Sequence, residues 1–243
     1  MGAPETKRAE PRRRGEPPPR RAIGYQSRIA LGNPNSPRFA EVARLTGVSL
    51  EQVALAIAGE LRPVAAERTR TRLDLIAAEL GDLSHLPPAT RANALVVHLE
   101  ERMGLRSRLD RSPDALMLDR VVEHRAGHPY ALAIVHAAVG LRCGLEMFPV
   151  LAGSALLVGD RGADHTVLID PVPGGRPPRA NPAWVCPHVV ARLLLGAIGE
   201  RYEERGDIVR AIRTAELAEL LPLHGARRAD DEAVLRGLRA KLN

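Results

Sequence analysis

Two histidines four residues apart, His124 and His128, have the spacing that puts both imidazoles on one helix face, where a zinc ion is commonly held. Gly127 and Pro129 break any helix running through the pair, so the rings are expected to diverge, and no metal site is assigned. Cys143 closes a long apolar run and reads as a buried, inert thiol. Cys186 lies in Trp184-Val185-Cys186-Pro187-His188, but nearness in sequence does not supply the geometry of a nucleophile and its base. The two cysteines show neither metal-type nor disulfide-framework spacing, so reduced thiols are expected. His165, in Asp164-His165-Thr166, leads into an apolar run that ends at Asp170. A surface histidine at a strand end is the plainer reading, and a base beside a site is the alternative. Asp170, followed by Pro171 and then Gly174-Gly175, has the composition of a tight turn. No residue pattern implies a cofactor.

The elements that must position these residues are mostly helical. Phe39 to Leu61 has helical apolar spacing broken at Gly47-Val48-Ser49, where Ser49 can cap a second helix. Thr71 to Leu80 predicts a third helix ended by Gly81, and Pro87-Pro88 opens another that runs through Leu99 to Met103. Ala115 to Glu123 is again helical and stops at Arg125-Ala126-Gly127-His128-Pro129. Tyr130 to Arg142 is apolar on nearly every side, the pattern of a helix at a domain centre, and Gly144 ends it. The runs 148–151, 155–158 and 166–169 are short, apolar and separated by Gly and Asp, and they read as strands. A turn-rich stretch, 171–187, closes this part. Residues 189–221 return to two helices broken near Gly206-Asp207, and 231–242 form the last helix.

With 243 residues, 45% of them hydrophobic, the chain can bury a sizeable core. Only 2% are aromatic, so Leu, Val, Ile and Ala must fill that core, which favours packed helices over a large β-sandwich. The formal charge is +6, but residues 1–22 alone carry seven Lys and Arg against three Glu, a net +4. This Pro-rich segment has too little apolar surface to fold and is expected to be a solvated, disordered tail able to touch nucleic acid non-specifically. It lacks the apolar stretch of a secretory signal, and no run reaches membrane-spanning length, so a cytoplasmic protein is expected.

The residues Leu118-Asp119-Arg120-Val121-Val122-Glu123-His124-Arg125-Ala126-Gly127-His128-Pro129, then Gly144-Leu145, then Leu168-Ile169-Asp170-Pro171 and Gly174-Gly175, carry a wider likeness in their order. They resemble the transglutaminase-like core shared with papain-type cysteine proteases, most of all its bacterial SirB-type branch. Residues 193–222, with Arg201-Tyr202 and Arg205-Gly206-Asp207, look like that branch's C-terminal helices, which resemble tetratricopeptide repeats. Residues 39–110 look like its N-terminal helices.

The resemblance implies an α+β fold, mainly helical, with a small antiparallel sheet flanked by N- and C-terminal helices. It implies a basic tail and linker at 1–38, a helical layer at 39–114, the core at 115–187 and a C-terminal helical pair with a last helix at 188–243. It also places the family's nucleophilic cysteine at Pro129, its histidine at Ser154 and its aspartate at Asp170. Of these three positions only Asp170 keeps the family's residue type. Cys143 cannot substitute, since it lies about 21 Å from Pro129 along the same helix at 1.5 Å per residue.

The reading that follows is a pseudoenzyme that binds protein partners through a groove around His128, Tyr130, Ser154, His165 and Asp170, or through its C-terminal helices. A weak hydrolase or transferase using Ser154 or His165 is the enzymatic alternative. DNA binding is the third reading, because Glu41 to Val53 has the helix, Gly-containing turn and Ser-started second helix of a helix-turn-helix. Its second helix, 50–60, carries Glu51, Gln52 and Glu60 and no Lys or Arg, a poor surface for phosphate.

Overall fold

The computed structural model describes residues 38–109, 111–162, 167–172, 181–222 and 226–241. The expected disordered tail and the candidate His165 therefore lie outside the described residues, apart from Arg38. The fold is α+β. Its helices are α1 (Phe39–Val42), α2 (Leu50–Leu61), α3 (Ala66–Leu80), α4 (Pro88–Val97), α5 (Leu118–His124), α6 (Pro129–Arg142), α7 (Pro187–Glu204), α8 (Ile208–Glu219) and α9 (Ala226–Ala240).

Local chemistry sets most of these boundaries. Ser49 forms a capping box at the start of α2: its Oγ accepts from the Gln52 amide at 3.1 Å, and its own amide donates to Gln52 Oε1 at 3.0 Å. Pro88, Pro129 and Pro187 each occupy the first turn of a helix, where the missing N–H costs nothing. Asp207 caps α8 through the Arg210 amide at 3.1 Å. Helix α3 begins at Ala66, earlier than the expected Thr71. Its β-branched threonines are accommodated because Thr69 and Thr71 donate back to the carbonyls of Ala65 and Glu67. The helix expected from Ala115 is instead a 3-10 turn over Pro113–Leu116 followed by α5, with Met117 extended between them. The last helix also starts before the expected position, at Ala226.

The chain continues from α4 into a π-turn at His98–Arg102 and then a two-residue strand, β1 (Arg106–Ser107). Its parallel partner is β2 (Ala126–Gly127), with Ser107 opposite Gly127. Four further strands form an antiparallel sheet in the order β5-β4-β3-β6: β3 (Met147–Ala152), β4 (Ala155–Asp160), β5 (Val167–Ile169) and β6 (Ala183–Trp184). Strand β6 falls inside the stretch expected to be turn-rich, where the sequence pattern predicts no strand. It escapes a periodicity reading because two residues carry no period.

Helix α6 is the hub. All of Ala131 to Gly140 is buried, and the helix packs on α2, α3, α5 and the inner face of the sheet. Helix α2 is buried at every residue except Gln52 and Glu60. That burial corrects the helix-turn-helix reading, since a helix enclosed by protein has no face to place in a DNA groove. Helix α4 is fixed to the sheet by a buried ion pair, Arg91 Nε to Asp160 Oδ2 at 2.6 Å, with side chains 8% and 1% exposed. The other Asp160 oxygen accepts from the amides of Glu146 at 3.3 Å and Gly162 at 3.0 Å.

Candidate functional site

The site builds outward from the start of α6. Arg125 ends α5 in the left-handed conformation, φ 55°, and turns the chain into β2. Gly127 is then gripped from both sides. A Cβ there would lie 2.5 Å from Val121 Cγ2 and 3.0 Å from the Ala115 carbonyl oxygen, so the position admits only glycine without movement. The His128 amide donates to that same carbonyl at 2.7 Å, and the Arg108 amide donates to the Gly127 carbonyl at 2.7 Å. The backbone entering α6 is thus fixed before the helix begins.

The first turn of α6 is closed on itself. Pro129 has no N–H. The Tyr130 amide donates to His128 Nδ1 at 3.2 Å, and the amides of Ala131 and Leu132 both donate to the His128 carbonyl, at 2.9 and 3.0 Å. A helix N-terminus usually presents free donors to an anion. Here His128 takes up those donors. The tautomer follows as well: Nδ1 accepts, so in the neutral ring Nε2 carries the proton. Burial first, and the Arg201 cation second, lower the His128 pKa from 6.5 to about 4.

Tyr130 links this turn to the sheet. Its hydroxyl donates to the Ser154 carbonyl at 3.2 Å, and its ring meets His128 edge-on, with centroids 4.7 Å apart. Burial, then Glu200, push the Tyr130 hydroxyl pKa up. Ser154 sits exposed in the two-residue turn between β3 and β4, where Gly153 takes φ 63°. His128, Tyr130 and Ser154 therefore form one contiguous group. Sequence reasoning did not connect to this group the two α7 charges that act on it, Arg201 on His128 and Glu200 on Tyr130, because α7 lies far downstream and nothing local ties it to α6.

Asp170 stands beyond the end of β5. Its Oδ1 accepts from the Val172 amide at 2.9 Å, a local turn bond. It borders an open cleft of about 370 Å³ with Glu100, Asn93 and Val96. Burial, and then the neighbouring Asp170, raise the Glu100 pKa. His136, in the middle of α6, is fully buried. Its Nδ1 is 2.9 Å from the Leu132 carbonyl, and burial lowers its pKa, with Asp170 acting the other way. Glu100 and His136 also went unnoticed in the sequence.

The remaining candidates separate. His124 is the last residue of α5 and exposed, whereas His128 caps α6. Among the described residues no group of three His, Cys, Asp or Glu is placed to hold a metal ion. Cys143 is 1% exposed at the far end of α6, and burial, then Asp82, raise its thiol pKa. Cys186 is exposed just before α7. No helix among the described residues is long and apolar enough to cross a membrane.

A buried central helix entered through a Gly-containing turn, followed by a small antiparallel sheet and enclosed by helices, makes the fold α+β. Residues 67–184 match the profile of the transglutaminase-like superfamily, so this segment, from α3 to β6, is a transglutaminase-like superfamily domain. No curated protein and no solved structure shows significant similarity to the chain.

Proposed function

We propose that this protein is a non-catalytic member of the SirB-type branch of the superfamily and acts as a protein-interaction or regulatory module. The observation that carries this reading is the closed first turn of α6. At the position where the resemblance places the nucleophile stands Pro129, and the neighbouring amides are all bonded to His128. No thiolate is available, and no free donors remain there to stabilise one. The position matched to the base is Ser154, in an exposed turn, and the Asp170 carboxylate bonds to its own turn.

The contact surface in this reading is the group around His128, Tyr130, Ser154 and Asp170, or the C-terminal helices. Those helices, the part that looks like tetratricopeptide repeats, enclose a second cleft of about 420 Å³ lined by Gly196, Gly199, Thr214 and Ala215 from α7 and α8. Affinity capture from bacterial lysate tests the reading, using the intact chain and a variant lacking residues 1–22, each with and without nuclease. Partners that persist in both support it. Loss of all binding on nuclease treatment or tail removal assigns the binding to nucleic acid instead. Amine incorporation or peptide hydrolysis abolished by Ser154→Ala or His165→Ala overturns the reading in favour of an enzyme.

A further inference from the structure

The sheet carries a second cluster that the α6 site does not use. Met147 packs against α6 at Gly140, so Phe148, the next residue of β3, belongs to the opposite face. Phe148 pairs with Gly159 of β4, which in turn pairs with Leu168 of β5. A Cβ on Gly159 would lie 2.6 Å from Trp184 Cη2, so the glycine makes room for the indole. Phe148 and Trp184 meet edge to face, with ring centroids 6.3 Å apart. The Arg161 guanidinium carbon is 4.4 Å from the Trp184 centroid and 4.7 Å from that of Phe148. Phe148, Leu168 and Trp184 remain 40%, 39% and 37% exposed.

Arg161 differs from the other well-held arginines. Arg62, Arg91, Arg142, Arg192 and Arg213 each face a carboxylate, whereas among the described residues Arg161 has none. Two rings hold its guanidinium, and ring faces leave the in-plane N–H donors unspent. Trp and Arg are among the residue types that dominate binding energy at protein interfaces, and Phe is enriched there.

We propose that this face docks an acidic peptide segment of a partner protein, with a carboxylate on Arg161 and adjoining apolar side chains on Phe148, Leu168 and Trp184. The inference goes beyond the non-catalytic reading and does not rest on it, because it concerns the sheet face turned away from α6.

Trp184 is the chain's one tryptophan, so its emission reports on this face alone. The full-length protein is titrated with the synthetic peptide acetyl-Leu-Glu-Leu-Asp-Leu-amide and with its Gln/Asn counterpart. A saturable change in Trp184 emission is expected with the acidic peptide, with affinity about tenfold or more weaker for the neutral one and reduced in salt of about 0.5 M. Arg161→Gln and Arg161→Lys, each checked for native circular dichroism, are expected to lose the response, Lys because it keeps the charge without the planar fork. No saturable change in the native protein, or equal binding of both peptides, overturns the proposal. It is equally overturned if emission changes on dilution together with a sedimentation shift, which assigns the face to a second copy of the chain. Partner capture that persists in Arg161→Gln while the titration fails would leave the non-catalytic reading standing without this one.

Discussion

His128 does two jobs at once: it ends an extended segment and supplies both side-chain and main-chain acceptors for the next helix. Its pKa of about 4, against 6.5 unperturbed, has a thermodynamic consequence. Between these values the unfolded chain binds a proton that the folded chain does not, so stability is complete above pH 6.5 and declines as pH falls toward 4. After allowance for its partial exposure, the loss should be on the order of 1 kcal/mol. His128→Asn keeps a capping acceptor and cannot titrate, so denaturant midpoints measured from pH 7 to pH 4.5 should fall less in this variant. Pro129→Cys should place a thiol at the head of α6 without turnover in an amine-incorporation assay, because the amides of Tyr130, Ala131 and Leu132 stay bonded to His128. In native protein a thiol-exchange reagent should react quickly with Cys186 and slowly with Cys143, the first exposed and the second buried with a raised pKa. At this scale much was legible. The Gly-His-Pro entry, the buried Cys143 and the turn-forming Asp170 all follow from residue type and immediate neighbours. The partners Arg201, Glu200 and Glu100 do not, since they arrive from elements whose faces no local pattern specifies.

Among elements, the ones with chemical start signals were the most legible. The Ser49 capping box and the prolines at the heads of α4, α6 and α7 mark boundaries through bonds made within a few residues. Strands β1, β2 and β6 exist only because a distant segment pairs with them, so a two-residue stretch leaves no trace in the sequence. The Arg91–Asp160 pair shows how elements are held once formed. It is close but poorly aligned, and Arg91 Nη2 finds no partner, so its role is to neutralise a buried charge rather than to add a strong bond. Arg91→Met should cost about 3 kcal/mol or more in urea unfolding, and adding Asp160→Asn should recover part of that loss. Gly127→Ala must push Val121 or the Ala115 carbonyl aside, at a cost of about 1–3 kcal/mol by the same measurement.

Across the whole molecule, the described residues from Arg38 onward belong to one compact unit. The end of α2 joins three parts of it. Glu60 accepts from the Phe39 amide at 3.0 Å and pairs with Arg213 of α8 at 2.5 Å, while Arg62 pairs with Asp119 of α5 at 2.5 Å. Arg210 donates to the Leu61 carbonyl at 3.3 Å. The family domain and the helices that follow it are therefore expected to unfold in a single transition, with Arg213→Ala lowering its midpoint without splitting it. The sequence separation of 153 between Glu60 and Arg213 also bears on how the chain reaches this state. As the chain leaves the ribosome, α2 emerges long before α7 and α8 exist, and the part of its apolar surface that packs on them waits for their synthesis. Closing so long a loop is slow compared with forming neighbouring helices. The rate-limiting event in folding should be the docking of α7 and α8 on α2, and a chain stalled before residue 187 would leave that face of α2 exposed and prone to aggregate.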